Sequence, residues 1–300
     1  MKERIMKRAA NSFPGGRFRK SAEYKNRLLR SHEKPPVVSI SILTVIIAGC
    51  LICELFIPYD PGRMMLDQIG QAPSASHIFG TDTLGRDLFS VIWHGGRISI
   101  AVGLLATLIS TIIAVVYGTA AGLASNKADD LMMRFTEILL SIPQILMVIF
   151  IQAIWGDATV LSISVVIGIT GWMAVAKMVR SEVKQLRNAG FVLAAKTMGA
   201  SFLYILRKHL MPNFMSAIMF MIVTNIGSAI AMEATLSFMG LGLPTDIISW
   251  GSLMSLSQRA MLTGAWWMLI IPGVFLVATL ICITDIGEYL RVRNRRERHM

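Results

Sequence analysis

The chain has 300 residues, 54% of them hydrophobic and only 16% charged, with a mean hydropathy of +0.60. Soluble domains carry about 25% charged residues, so this composition excludes an ordinary water-soluble globule, and the apolar residues fall in runs suited to lipid. A formal net charge of +11 fits either nucleic acid or an anionic membrane surface, and its placement along the chain separates the two.

The first 36 residues are basic and polar, with eleven lysines and arginines. No small-residue cleavage site follows the first apolar run, so that run reads as a retained span. Crossing about 30 Å of hydrocarbon takes about 20 helical residues, and six segments qualify. In chain order they are Val37–Ile57, Ile98–Leu123, Leu131–Trp155, Thr159–Val179, Phe214–Met239 and Trp266–Gly287. Pro143 and Pro272 lie inside the third and sixth, where neighbouring helices can satisfy the freed carbonyls. A kink useful to a moving pathway and a plain packing irregularity are both open readings. Cys50, Cys53 and Cys282 sit in apolar runs. Cys50 and Cys53 have C-x2-C spacing with no second pair nearby, so they are expected to pack as small hydrophobes and to bind no metal.

Of the 29 lysines and arginines, 25 fall in the N-terminal segment, the loops after spans two and four, and the C-terminal tail. Cytoplasmic loops carry that excess, so both termini are expected inside the cell. The organisation is then a basic cytoplasmic segment (1–36), a transmembrane domain (37–290) and a basic cytoplasmic tail (291–300). This split accounts for the net charge without nucleic acid.

Between spans one and two, Leu84, Leu88, Val91 and Ile92 share a helical face, and Asp82 precedes Arg86 by four residues. The spacing predicts a short amphipathic helix on the outer interface, with either a structural role or solute contact. Ionisable groups at membrane depth are functional candidates by default. Glu54, Glu137 and Asp285 lie near span ends, whereas Glu233 is deepest. Glu233 either lines the pathway, or caps a helix or pairs with a partner subunit. Asn225, Gln144 and Gln152 either line the route or bond between helices.

The inner loop after span four, 180–213, is too polar to span. Phe191, Ala194, Ala195 and Met198 fall at i, i+3, i+4 and i+7, one helical face, with Gly199 as its stop. A second short helix is expected over Ser201–Leu210, and Pro212 precedes span five. A basic amphipathic loop on the membrane and a docking element for a soluble partner both fit this spacing. The chain has no G-x-x-x-x-G-K-[ST] phosphate loop, no histidine cluster and no defensible catalytic constellation. A secondary transporter would need paired mid-membrane carboxylates or discontinuous helices in repeated halves, and the sequence displays neither clearly.

Ala194-Ala195, Gly199, Ile205, His209 and Pro212 resemble the cytoplasmic "EAA" loop of ABC importer permeases. Gly80, Thr81, Asp82, Gly85, Arg86 and Asp87 resemble the G-T-D-x-x-G-R-D pattern of one subunit type in the dipeptide, oligopeptide and nickel permeases. Glu233 to Gly242, followed by Ser249-Trp250-Gly251, is similar to a third stretch of the same family, so the resemblance covers about Val37 to Arg291. It implies an all-α membrane protein of the type I ABC importer permease fold, a "C-type" subunit in the cell membrane of a bacterium or archaeon. It further implies a homologous B-type permease partner, two ATPase subunits that bind ATP and Mg, and an external solute-binding protein. No cofactor is implied in this chain, and the solute would be a peptide, nickel or a metal chelate. The loop would dock into the ATPase through Phe191, Leu193, Ala194, Ala195, Met198, Gly199, Ala200, Ile205, His209 and Pro212. Leu193 stands where the family usually has glutamate, so no salt bridge is implied there.

Overall fold

A computed structural model describes residues 35–297. Most of the basic N-terminal segment (1–34) and the last three residues of the tail lie outside it. Eleven α-helices follow in order: α1 Val37–Ile52, α2 Leu88–Leu123, α3 Asn126–Ser141, α4 Gln144–Trp155, α5 Val160–Thr170, α6 Met173–Leu186, α7 Gly190–Thr197, α8 Phe202–Ile205, α9 Met211–Phe238, α10 Trp250–Leu256 and α11 Trp267–Glu297. Among the described residues the only β-pairing is an isolated bridge between Thr81 and Asp87.

The centre of the bundle is α2. Its 36 residues make a rod of about 54 Å, longer than the hydrocarbon layer. The helix was expected from Ile98 but begins ten residues earlier. Leu88, Val91 and Ile92, expected on a separate surface helix, are fully buried in its first turns. Asp87 caps it by accepting the Ser90 N–H at 2.9 Å, and the apolar residues that follow leave no reason to stop.

Small residues along α2 let other helices close in. A Cβ at Gly103 would lie 2.4 Å from Ile230 of α9, and one at Gly118 would lie 2.5 Å from the Ala176 carbonyl of α6. The first span is held at both ends. Ser39 donates to Asp285 of α11 at 2.7 Å. At the other end, Arg97 donates to the Cys50 and Leu51 carbonyls at 2.5 and 2.8 Å and to Glu54 at 2.6 Å. A guanidinium at a helix C-terminus meets the last carbonyls where the helix itself cannot.

Among the described residues, four helices are long and apolar enough to cross a membrane, and counting each of two bent pairs as one span brings the number to six. The third and fourth expected spans are these bent pairs. Pro143 follows Ile142, whose extended backbone ends α3, and α4 leaves at 87° to it. Proline biases its predecessor away from the helical region, which is why the apolar run does not continue straight. The second pair bends by 47° at Gly171 and Trp172, and α6 runs on to Leu186, past the expected end at Val179.

Candidate functional site

The outer motif is a knot of buried polar groups and not a helix. Asp82 accepts from the backbone of Leu84 and Arg86 at 2.8 and 2.9 Å and from Arg86 Nε at 2.7 Å. Acid and base therefore pair across a tight turn, and both are buried. Asp87 holds His77 Nδ1 at 2.9 Å while capping α2, and Thr81 exchanges bonds with Gln68 and Gln71. Gly80 and Gly85 have φ of +75° and +72°. A Cβ on Gly85 would lie 1.9 Å from the Met65 carbonyl oxygen, so that position admits only glycine. All six residues of the motif hold the entry to α2 in place.

Glu233 packs among the chain's own helices. It is fully buried, and its carboxyl group accepts hydroxyls from Ser99 of α2 at 3.1 Å, Ser237 of α9 at 2.9 Å and Ser249 at 2.8 Å. Ser249 and Ser252 form the capping box of α10, and Ser99 also accepts the Trp250 N–H at 3.2 Å. Trp250 is fully buried and donates to the Ile92 carbonyl at 3.0 Å. A carboxyl group at this depth is stable only with its lone pairs satisfied. Three serines do that, and in doing so they tie α2, α9 and α10 together.

Asn225 and Gln144 meet at the two helix breaks. Asn225 of α9 donates to Ser110 of α2 at 2.7 Å. A Cβ placed on Gly171 would lie 3.3 Å from Gln144 Nε2 and 3.9 Å from Asn225 Oδ1. Nothing in the spacing of these residues pointed to each other, because the breaks that bring them together lie in different spans. Gln152 stands apart, donating to the Gly156 carbonyl near the outer end of α4.

The inner loop is built on a charged clamp. Arg180 and Lys184 of α6 both bind the buried carboxylate of Asp129 on α3, and Arg187 donates to the Gly122 carbonyl at the end of α2 at 2.9 Å. Beyond the clamp, α7 turns Val192 into the core. It leaves Phe191, Leu193, Ala194 and Met198 outside, with Met198 86% exposed. Gly199 closes the helix at φ +77°, and the Ala200 N–H reaches back to the Ala195 carbonyl at 3.0 Å. That is a left-handed helix stop. Tyr204 is also exposed, and the His209 ring lies 5.8 Å from it and 5.9 Å from Phe191. Ile205 is buried beneath them.

Pro212 lies in the first turn of α9. The backbone stays helical from Phe202 through a π-turn at Leu206–Leu210 into α9. The Met211 N–H bonds to the Leu206 carbonyl five residues back, and Asn213 donates to the His209 carbonyl at 2.6 Å. The wider π-turn makes room for a ring that would clash in a regular α-helix.

A helical bundle with broken spans, an uncharged polar joint and an anchored inner loop tipped with exposed apolar residues fits a multi-pass membrane transport subunit. Residues 114–296 match the family described as the binding-protein-dependent transport system inner membrane component. The chain is 37% identical over 258 residues to the dipeptide transport system permease protein DppC of Bacillus subtilis (strain 168), covering 86% of this chain and 80% of that protein. It is 36% identical over 269 residues to the oligopeptide transport system permease protein OppC of the same strain, covering 89% and 88%. Its fold is similar to a chain of the MetNI methionine ABC transporter in an inward-facing conformation, with a TM-score of 0.54 and 19% identity over 68% of this chain and 95% of that one. The chain belongs to the binding-protein-dependent inner-membrane family and is a permease subunit of an ABC importer.

Proposed function

We propose that this permease imports peptides, driven by ATP hydrolysis in separate subunits. The observation that carries the coupling reading is the inner loop. Phe191, Leu193, Met198 and Tyr204 present exposed apolar surface on the face where the lysines and arginines collect. A contiguous apolar patch on a face bathed by water marks a protein partner. The segment beneath it is continuous with α9 through the π-turn, so a push on the loop is a push on a membrane helix. The ATPase pair is the partner of this surface and binds the ATP and Mg. A homologous B-type permease completes the pathway, and an external binding protein delivers the solute. The peptide assignment rests on the relatives DppC and OppC. The chain itself contributes no phosphate loop.

Reconstitution of the chain with these partners in proteoliposomes tests the reading. Uptake of a labelled dipeptide should require ATP and the binding protein. Accumulation by the single chain without an ATPase would refute it.

A further inference from the structure

We propose that Gln144 and Asn225 form a station at mid-depth in the membrane that hydrogen-bonds the backbone amide of a passing peptide. The proposal rests on the peptide reading above and adds the group that is recognised.

The depth follows from helix lengths. Gln144 opens α4, eleven residues below Trp155, and Gly171 follows the last residue of α5, eleven residues below Val160. Each break therefore lies about 16 Å from the outer end of its helix, near the middle of a hydrocarbon layer of about 30 Å. Asn225 lies thirteen residues below Phe238 on α9, about 20 Å. Discontinuous helices that meet at mid-depth are where transporters place substrate contacts, because irregular backbone at that depth must line a cavity or be buried in protein.

The chemistry follows from the two side chains. Asn225 donates its amide N–H to Ser110, and its carbonyl oxygen, which accepts no hydrogen bond among the described residues, lies on the Gly171 side. Gln144 lies beside the same glycine, half-buried, and shows no hydrogen bond among the described residues. Its carboxamide offers one acceptor and two donors. Gly171 lets the two amides approach, since a Cβ there would lie 3.1 Å from the Ile167 carbonyl oxygen and 3.3 Å from Gln144 Nε2. No lysine, arginine, aspartate or glutamate occurs at 138–156, 158–176, 211–232 or 98–126, the stretches that surround the joint. Two neutral amides with a free donor and a free acceptor match a peptide bond, which presents one N–H and one carbonyl. They do not match a metal cation or a phosphate. Recognition of the backbone alone also suits a carrier that must pass many side chains.

The test compares two substrates in the complete reconstituted complex: a labelled dipeptide, and its depsipeptide in which an ester oxygen replaces the amide N–H. Gln144→Met keeps the shape and removes no hydrogen bond seen among the described residues, so assembly, read by copurification of all subunits, should match wild type. Dipeptide uptake should fall about tenfold, and the preference for dipeptide over depsipeptide should shrink from its wild-type value. The binding protein is the same in both arms, so its own selectivity cancels. Asn225→Ala should shrink the preference in the same direction. An unchanged preference with either variant overturns the station. Failure of the wild-type complex to import either substrate would instead sink the peptide reading on which it stands.

Discussion

Gly85 and Gly199 both have positive φ, yet they answer to different constraints. Gly85 faces the Met65 carbonyl oxygen at a distance no side chain tolerates, whereas Gly199 faces open space. Gly85→Ala should therefore displace the knot around Asp82 and Asp87 and cost about 3 kcal/mol or more, seen as a lower melting temperature of the purified protein. Gly199→Asn should be nearly silent, because asparagine enters the left-handed region readily, whereas Gly199→Val should impair uptake through the backbone alone. Equal uptake by the two variants would show that the stop at Gly199 is unimportant. Glu233 makes a third case. Glu233→Leu strands three serine hydroxyls and should cost about 3 kcal/mol, against about 1 kcal/mol for Glu233→Gln, which keeps polar atoms within reach. Thermal melting in detergent reads the difference.

Among the elements, α9 and its π-turn carry the argument that the loop acts as a lever. The loop and the membrane helix share one continuous backbone, so their relative rotation is set at Leu206–Leu210. One alanine inserted after Leu210 should rotate the loop by about 100° against α9. The expected outcome is ATP hydrolysis that persists while peptide uptake falls by at least about tenfold. Uptake retained at the wild-type rate would remove the lever from the account. The clamp at Asp129 serves the same end from the other side. Asp129→Asn leaves Arg180 and Lys184 without their carboxylate, and since both are partly exposed the cost should be only about 1–2 kcal/mol. Limited proteolysis should then cut within 180–213 faster than in the wild type.

For the molecule as a whole, the charge count sets the orientation and the breaks set the interior. Cysteines introduced at Thr197 and Thr245 should be labelled by an impermeant thiol reagent from the inner and outer sides respectively. Labelling of Thr197→Cys from outside in intact cells would invert the topology and with it the site assigned to the ATPases.

Much of this was legible in the residues. The spans were, because lipid demands long apolar runs, and so were the outward face of α7 and its stop at Gly199, because helical periodicity and left-handed glycine are local properties. The 87° break at Pro143 was foreshadowed by its proline, though its size was not. The early start of α2, the passage of the helix through Pro212, the burial of Trp250 and the role of Glu233 were not legible. Each depends on partners distant in the chain: Ser99 and Ser249 for Glu233, the Ile92 carbonyl for Trp250, and the packing of α9 that holds a π-turn open. By itself the sequence determined that the chain crosses a membrane and set the orientation to be tested by labelling, since hydropathy and charge act residue by residue. Only the tertiary structure decided which polar groups are satisfied within the fold and which, like Gln144, make no hydrogen bond among the described residues, because hydrogen bonds are made or missed according to what other helices bring within 3 Å.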